Sequence, residues 1–277
     1  MEKKDYLKRL FENYLKDTES VMNCGYCQLP FIPYTFPGYE AASQKNFFIG
    51  RDTNSWCEYD SMFDRNNKVD PCLYLANNAS FVSTENIIKD WKKPSSFWGT
   101  VGKLQLQLRT GVYHPSIEEL SGRDREILNE LGYGNLYSIE LSETLKRKTY
   151  RDENNVPRNE YQDITDQKGY EVLQQSARPF EQLKTIFEAY GEPDYVFVLS
   201  WVDADKKFFE GLDYKFQPQW YLENLRAVYL SKSHKTKIVW TDHPHRFSFL
   251  KMNQQEMCSM ICETVKELEE QQRSQQN

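Results

Sequence analysis

The chain contains no apolar run near the roughly 20 residues that a membrane-spanning helix requires. Its first residues, Met1-Glu2-Lys3-Lys4-Asp5-Tyr6, carry no apolar core of the kind a secretion signal needs. The expectation is a cytoplasmic protein with no membrane partner. A basic surplus is also missing. Lys and Arg number 35 against 41 Asp and Glu, a net charge of -6. A general nucleic-acid coat displaces counterions with excess cations, so that class is disfavoured, while a local basic groove on an acidic body is not. Lys92-Lys93 and Lys146-Arg147-Lys148 are the densest basic stretches, and runs of this kind are more often solvated faces. No internal repeat and no linker-like composition divides the 277 residues, so one domain over 1–277 is expected, and a monomer.

The six cysteines are read as reduced thiols in the absence of a secretion signal. Cys24-Gly25-Tyr26-Cys27 has the spacing of half a metal site, but Cys57 and Cys72 are not a close second pair. Cys258 and Cys262 lie one helical turn apart, the spacing of core packing. No metal and no cofactor are expected.

What is abundant is aromatic and apolar sequence, 14% and 39% of the chain, in short blocks. Residues 3–16 carry apolar residues at three-and-four spacing and predict a helix. The stretch 29–39 has three prolines and four aromatic residues, so it is extended, with rings that plug the core's edge or line a pocket. Apolar runs predict strands at Asn46–Gly50, Asn135–Leu141, Tyr195–Trp201 and Lys237–Thr241. Between them, periodicity and caps predict helices from Ser83 or Thr84 to Trp91 and over 97–109, 117–131, 170–190, 217–230 and 254–271. Residues 146–168 are polar and read as a surface insertion. Strands alternating with helices predict an α/β fold, a three-layer α/β/α sandwich around a central four-stranded parallel sheet.

In a parallel sheet the carboxyl ends of all strands share one rim. Two polar loops follow strands: Gly50-Arg51-Asp52-Thr53-Asn54-Ser55-Trp56 and Asp242-His243-Pro244-His245-Arg246. An Asp and a His that meet in one crevice are suited to acid–base or electrostatic work. Glu140 lies near the same rim.

The content and order of these loops resemble the uracil-DNA glycosylase superfamily. Gly50-Arg51-Asp52 matches its Gly-x-Asp motif after the first strand, and His243-Pro244 its His-Pro motif after the last. Gly50-Arg51-Asp52-Thr53-Asn54-Ser55-Trp56 also fits a form with Gly-x-Asp/Glu-Thr-Asn-x-Trp. The resemblance implies a DNA partner and hydrolysis of an N-glycosidic bond to a flipped base. It implies that Asp52 orients water and His243 donates to the departing base. Trp56, or next Phe36 or Tyr39, would stack on that base. Gly50, Arg51, Asn54, Glu140, His245 and Arg246 would bind substrate, with Arg246 on phosphate and Phe247 in the stack. The sequence departs from the family at Thr53, where several members have Pro, and at Glu140, where an Asn at the end of the second strand usually reads the base. A nucleic-acid or nucleotide-binding protein without turnover is the alternative.

A hydrolase of the SGNH type is a further alternative, from an Asp and a His three apart, Asp242 and His245. It needs a nucleophilic Ser after the first strand, and only Ser55 is offered. Ser55→Ala is expected to leave full activity on any substrate found; a loss of product in a steady-state assay would reinstate that class.

Overall fold

The computed structural model describes residues 3–22, 31–50, 83–136, 146–151, 157–162, 182–200, 206–222, 226–247 and 249–276. Among these, six α-helices run over Lys3–Met22 (α1), Thr84–Lys89 (α2), Phe97–Thr110 (α3), Gly122–Ile127 (α4), Gln182–Tyr190 (α5) and Gln254–Gln276 (α6). The strands are Tyr34–Thr35 (β1), Asn46–Gly50 (β2), Leu131–Asn135 (β3), Lys146–Arg151 (β4), Pro157–Gln162 (β5), Tyr195–Leu199 (β6), Lys215–Phe216 (β7), Arg226–Leu230 (β8) and Lys237–Thr241 (β9).

The protein is α/β, and its main sheet is mixed and seven-stranded rather than four-stranded, in the order β1-β3-β2-β6-β9-β8-β7. β3, β2, β6 and β9 are mutually parallel neighbours, whereas β1, β8 and β7 join antiparallel. β4 and β5 form a separate antiparallel pair.

β2 has every residue buried, as a strand covered on both faces must. Alternation sends Phe48 to one face with Leu131, Tyr133, Phe197 and Val239, covered by α2, α3, α4 and α6. It sends Phe47 and Ile49 to the other with Val196, Val198, Ile238 and Trp240, covered by α1 and α5. Helices therefore pack on both sheet faces.

Two of the expected helices are folded otherwise. The helix expected over 117–131, ending at Gly132, is a short 3-10 turn at Ile117–Glu119, then α4, and Gly132 lies inside β3. Its pairing with Phe47 explains why: a Cβ on Gly132 would fall 2.2 Å from Phe47 ring carbons, so the ring of one strand fills the missing side chain of the next. Gly134 likewise yields its place to Ile49, whose Cδ1 would lie 2.9 Å from an added Cβ. The helix expected over 217–230 is a single 3-10 turn, Pro218–Trp220, followed by β8. Pairing with β9 and the strand-forming Val228 and Tyr229 override a helical periodicity that was only local.

Helix ends follow local chemistry. The Ser96 hydroxyl accepts from the Gly99 N–H at the start of α3, and Gly111 ends that helix with φ 77. Ser121 and Asp124 close a reciprocal capping box at the start of α4. Inside the α3/α6 interface the Lys103 ammonium is buried and donates to Trp91 O at 2.8 Å and Gln254 Oε1 at 2.6 Å. Near the β3 entry Glu130 lies 2.6 Å from Arg109, and both side chains are almost fully enclosed.

The buried phenols of this core include Tyr34, Tyr39, Tyr190 and Tyr195. Burial first, with nearby phenol or carboxylate charge second, raises all four above the ordinary tyrosine value of 10.0. The folded form therefore keeps protons that the unfolded chain releases, so the stability they contribute is complete below pH 10 and is lost as pH rises above it. Each is expected to remove up to about 1.4 kcal/mol per pH unit in that range. Urea titrations monitored by circular dichroism between neutral and strongly alkaline pH check this; a midpoint that stays flat well above pH 10 contradicts it.

Candidate functional site

The carboxyl rim of the four parallel strands carries Gly50, Asn135, Ser200 and the turn after Thr241. Gly50 and Asn135 end their strands in register. Their approach is close, since a Cβ on Gly50 would sit 2.8 Å from Asn135 Oδ1, 3.4 Å from Tyr133 Oη and 3.5 Å from a Phe97 ring carbon. The Tyr133 hydroxyl donates to Asn135 Oδ1 at 2.7 Å, fixing the amide against the rim. Asn135 is almost wholly buried. A side chain of this kind, with donor and acceptor on one planar group, reads polar edges well.

β9 delivers the second component. Asp242 is buried and its Oδ1 accepts the His243 N–H at 2.9 Å. Burial holds the Asp242 carboxyl above its ordinary range, opposed by that N–H and by Arg246. His243 then caps the short turn Pro244–Arg246, and its Nδ1 accepts the backbone N–H of His245 at 3.2 Å. An accepting Nδ1 leaves the proton of a neutral imidazole on Nε2. The backbone thus sets His243 as a neutral donor through Nε2. The ring lies between two others: Phe97 at 6.0 Å with a 21° interplanar angle, and His245 at 5.2 Å with 9°.

Phe97, the first residue of α3, joins the two strand ends. It stacks on His243 and is the third neighbour of the Gly50 position. It also meets Trp98 and Tyr133 edge-on, at 5.3 and 5.6 Å. β2 and β9 are separated in the sheet by β6 alone, or about 10 Å at ordinary strand spacing. Gly50 and His243 therefore share one aromatic wall, with Asn135 beside Gly50.

Of the residues singled out by sequence, Gly50, His243, His245 and Arg246 are on this rim. Arg51, Asp52, Asn54, Trp56 and Glu140 lie outside the described residues, as does Ser55. Arg246 has its guanidinium 3.4 Å from Asp242, so part of its charge is directed inward. Phe247, expected in a stack, is buried in the core, whereas Phe249 two residues on is 81% exposed. Phe36 and Tyr39 are core residues: Phe36 stacks on Tyr34 at 5.9 Å and Tyr39 meets Phe47 edge-on at 5.9 Å.

Asn135 and Phe97 do not stand out as site residues in the sequence. The sequence places the second strand at Asn135–Leu141, because Gly132 and Gly134 look like breakers, whereas β3 ends at Asn135 and residues 137–141 lie outside the described residues. The signal that finds it is the run Leu131-Gly132-Tyr133-Gly134-Asn135 read beside Phe47 and Ile49, whose large side chains match the two glycines. Phe97 reads in the sequence simply as the start of a helix.

Among the described residues no three His, Cys, Asp or Glu gather as a metal site would require. Cys24, Cys27, Cys57 and Cys72 lie outside them. Cys258 and Cys262 are buried free thiols; burial pushes Cys258 up and Cys262 up to about 12, so both are unreactive packing residues. No helix among the described residues is long and apolar enough to cross a membrane. Comparison with family models, curated proteins and solved structures finds no match to this chain.

The contact at Gly50 is testable. Gly50→Ala is expected to lower unfolding free energy by about 1–3 kcal/mol, because the new methyl meets a buried, hydrogen-bonded amide. Gly122→Ala, where an added Cβ has nothing within 4 Å, serves as the control. Equal urea midpoints for the two variants refute the close approach.

Proposed function

We propose that the carboxyl rim binds a nucleobase flipped from DNA, and that the protein is a DNA glycosylase-like hydrolase of an N-glycosidic bond. The observation that carries this reading is His243, held as a neutral Nε2 donor by the His245 N–H and stacked on the Phe97 wall that Gly50 also faces. A neutral donor aimed at a carbonyl stabilises the charge that grows on a departing base without competing for the proton.

Asn135 supports the same reading. It ends the strand beside the one ending at Gly50, which is where the resembled family has the Asn that reads the base. Asn135 replaces Glu140 as the candidate base reader. A uracil-type imide edge, with an N–H to donate and a carbonyl to accept, suits an amide. Asp52 follows Gly50 by two positions and takes the role of orienting water and steadying the cationic sugar. Phe249, rather than Phe247, is the ring available to occupy the gap left in the base stack. A sandwich built on the four parallel strands of the main sheet is the architecture the resemblance implies.

The test is a strand-cleavage assay under single-turnover conditions, on duplex and single-stranded DNA containing deaminated or alkylated bases. Wild type is expected to make abasic sites, most readily at uracil. Asp52→Asn is expected to slow product formation by roughly 10²–10⁴-fold, and His243→Ala by roughly 10²–10³-fold. Asn135→Asp is expected to weaken discrimination among pyrimidines more than it slows the chemistry. Folded wild type that yields no abasic product across the panel refutes hydrolysis. DNA binding without product would favour a binding protein on the same rim.

A further inference from the structure

The pair β4–β5 stands apart from the main sheet and has a composition unlike the rest of the chain. β4 reads Lys146-Arg147-Lys148-Thr149-Tyr150-Arg151 and β5 reads Pro157-Arg158-Asn159-Glu160-Tyr161-Gln162. Five cations face one carboxylate in these two strands, in a chain whose net charge is -6. Charge is thus segregated, and the surplus of one sign is concentrated on a single ribbon.

The register distributes that charge over both faces. Lys146 pairs with Gln162, Lys148 with Glu160 and Tyr150 with Arg158; on the alternate positions Arg147 pairs with Tyr161, Thr149 with Asn159 and Arg151 with Pro157. Each face therefore carries at least two cationic positions of β4, and each carries one Tyr. One cation, Lys148, has an acid as its register partner, and the others have tyrosine, amide or proline partners. Like charges at alternating positions along one strand repel, and an isolated two-stranded pair is at best marginally stable in water. A polyanion laid along the ribbon removes the repulsion.

We infer that the β4–β5 ribbon is a second DNA-binding element, which takes the phosphate backbone of a duplex. It rests on the proposed nucleic-acid reading of the rim for the identity of the polyanion. A two-stranded antiparallel ribbon has the dimensions to enter the major groove. The cationic positions of β4 alternate along the strand, so a groove that took the ribbon would have basic positions toward either wall. An anionic membrane is the other polyanionic surface, and the two strands argue against it: they contain no Leu, Ile, Val, Phe or Trp to enter the headgroup layer. In the chain the ribbon follows β3, whose carboxyl end is on the His243 rim. The ribbon supplies affinity without sequence reading, and the rim supplies the selection of a base.

The experiment measures binding of the full chain to a labelled duplex of about two helical turns by fluorescence anisotropy, between about 50 and 200 mM salt. Four neutralising changes, Lys146→Gln, Arg147→Gln, Lys148→Gln and Arg151→Gln, are made together. They are expected to reduce the slope of log affinity against log salt by about 3 to 4, and affinity near physiological salt by on the order of a thousandfold. A control with the same charge change, Lys215→Gln, Lys232→Gln, Lys266→Gln and Arg273→Gln, uses exposed positions elsewhere and is expected to change the slope by less than about one. Arg151→Gln alone is expected to lower the slope by about one, and Lys146→Arg with Lys148→Arg to leave it unchanged, which keeps the test intact if the fourfold variant misfolds. A wild type that does not bind duplex, a fourfold variant with the wild-type slope, a control that loses as much, or wild type that prefers phosphatidylserine vesicles to duplex would each overturn the inference. His243→Ala separates the two readings: it is expected to lose product and keep the salt slope, so a rim that proves inactive leaves the ribbon's result standing.

Discussion

The packing of Phe47 into the space above Gly132 is the constraint on which the rest of the sheet depends. Parallel strands have no hairpin to set their register, and here the register of β2 on β3 is set by volume. A large ring and a Cδ1 methyl on one strand meet two glycines on the next, and a shift of one residue would bring Phe47 against Tyr133 and Ile49 against Asn135. The same pairing fixes which strand positions are terminal. Gly50 and Asn135 come level because Phe47 and Gly132 do, and the rim inherits its geometry from a core contact three residues away.

From the rim the construction continues through α3. The helix begins with Ser96 as cap and Phe97 as its first residue, so its start is defined within one position. That definition matters because Phe97 is the surface against which His243 is stacked. The His245 N–H on Nδ1 restrains the imidazole further, and the buried Asp242 carboxylate accepts the backbone N–H of His243 and so holds the main chain that carries the ring. The backbone N–H that fixes the tautomer lies in the short turn headed by Pro244. The turn that places the His245 N–H thus bears on both the orientation of the ring and the position of its proton.

Much of this was legible in the sequence. The strands at Asn46–Gly50, Tyr195–Leu199 and Lys237–Thr241 are unbroken apolar runs that both faces of a covered sheet require, and α3 and α6 declare themselves by period and cap. Two elements were not legible for a common reason, which is that the deciding partner is remote. Gly132 and Gly134 look like breakers until Phe47 and Ile49 are set beside them, more than 80 positions earlier. Arg226–Leu230 carries a helical spacing, and only the edge of β9 makes it a strand. The rim shows the same division. The polar packets after β2 and β9 stand out, whereas Asn135 is hidden by the misread strand and Phe97 by its ordinary role as a helix residue.

The two edges of the main sheet have a bearing on how the protein behaves in a crowded solution. Each terminal strand, β1 and β7, is only two residues long. β1 is bracketed by Pro33 and Pro37, neither of which has an amide hydrogen, and β7 contains an exposed lysine at Lys215. A strand from another molecule seeking to continue the ladder would find a template too short to hold it, a missing donor on one side and a charge on the other. The largely buried strands β3, β2, β6 and β9 lie inside the sheet, and both edges of each are already occupied. The antiparallel additions thus act as end stops on a sheet whose parallel centre would otherwise recruit its own kind.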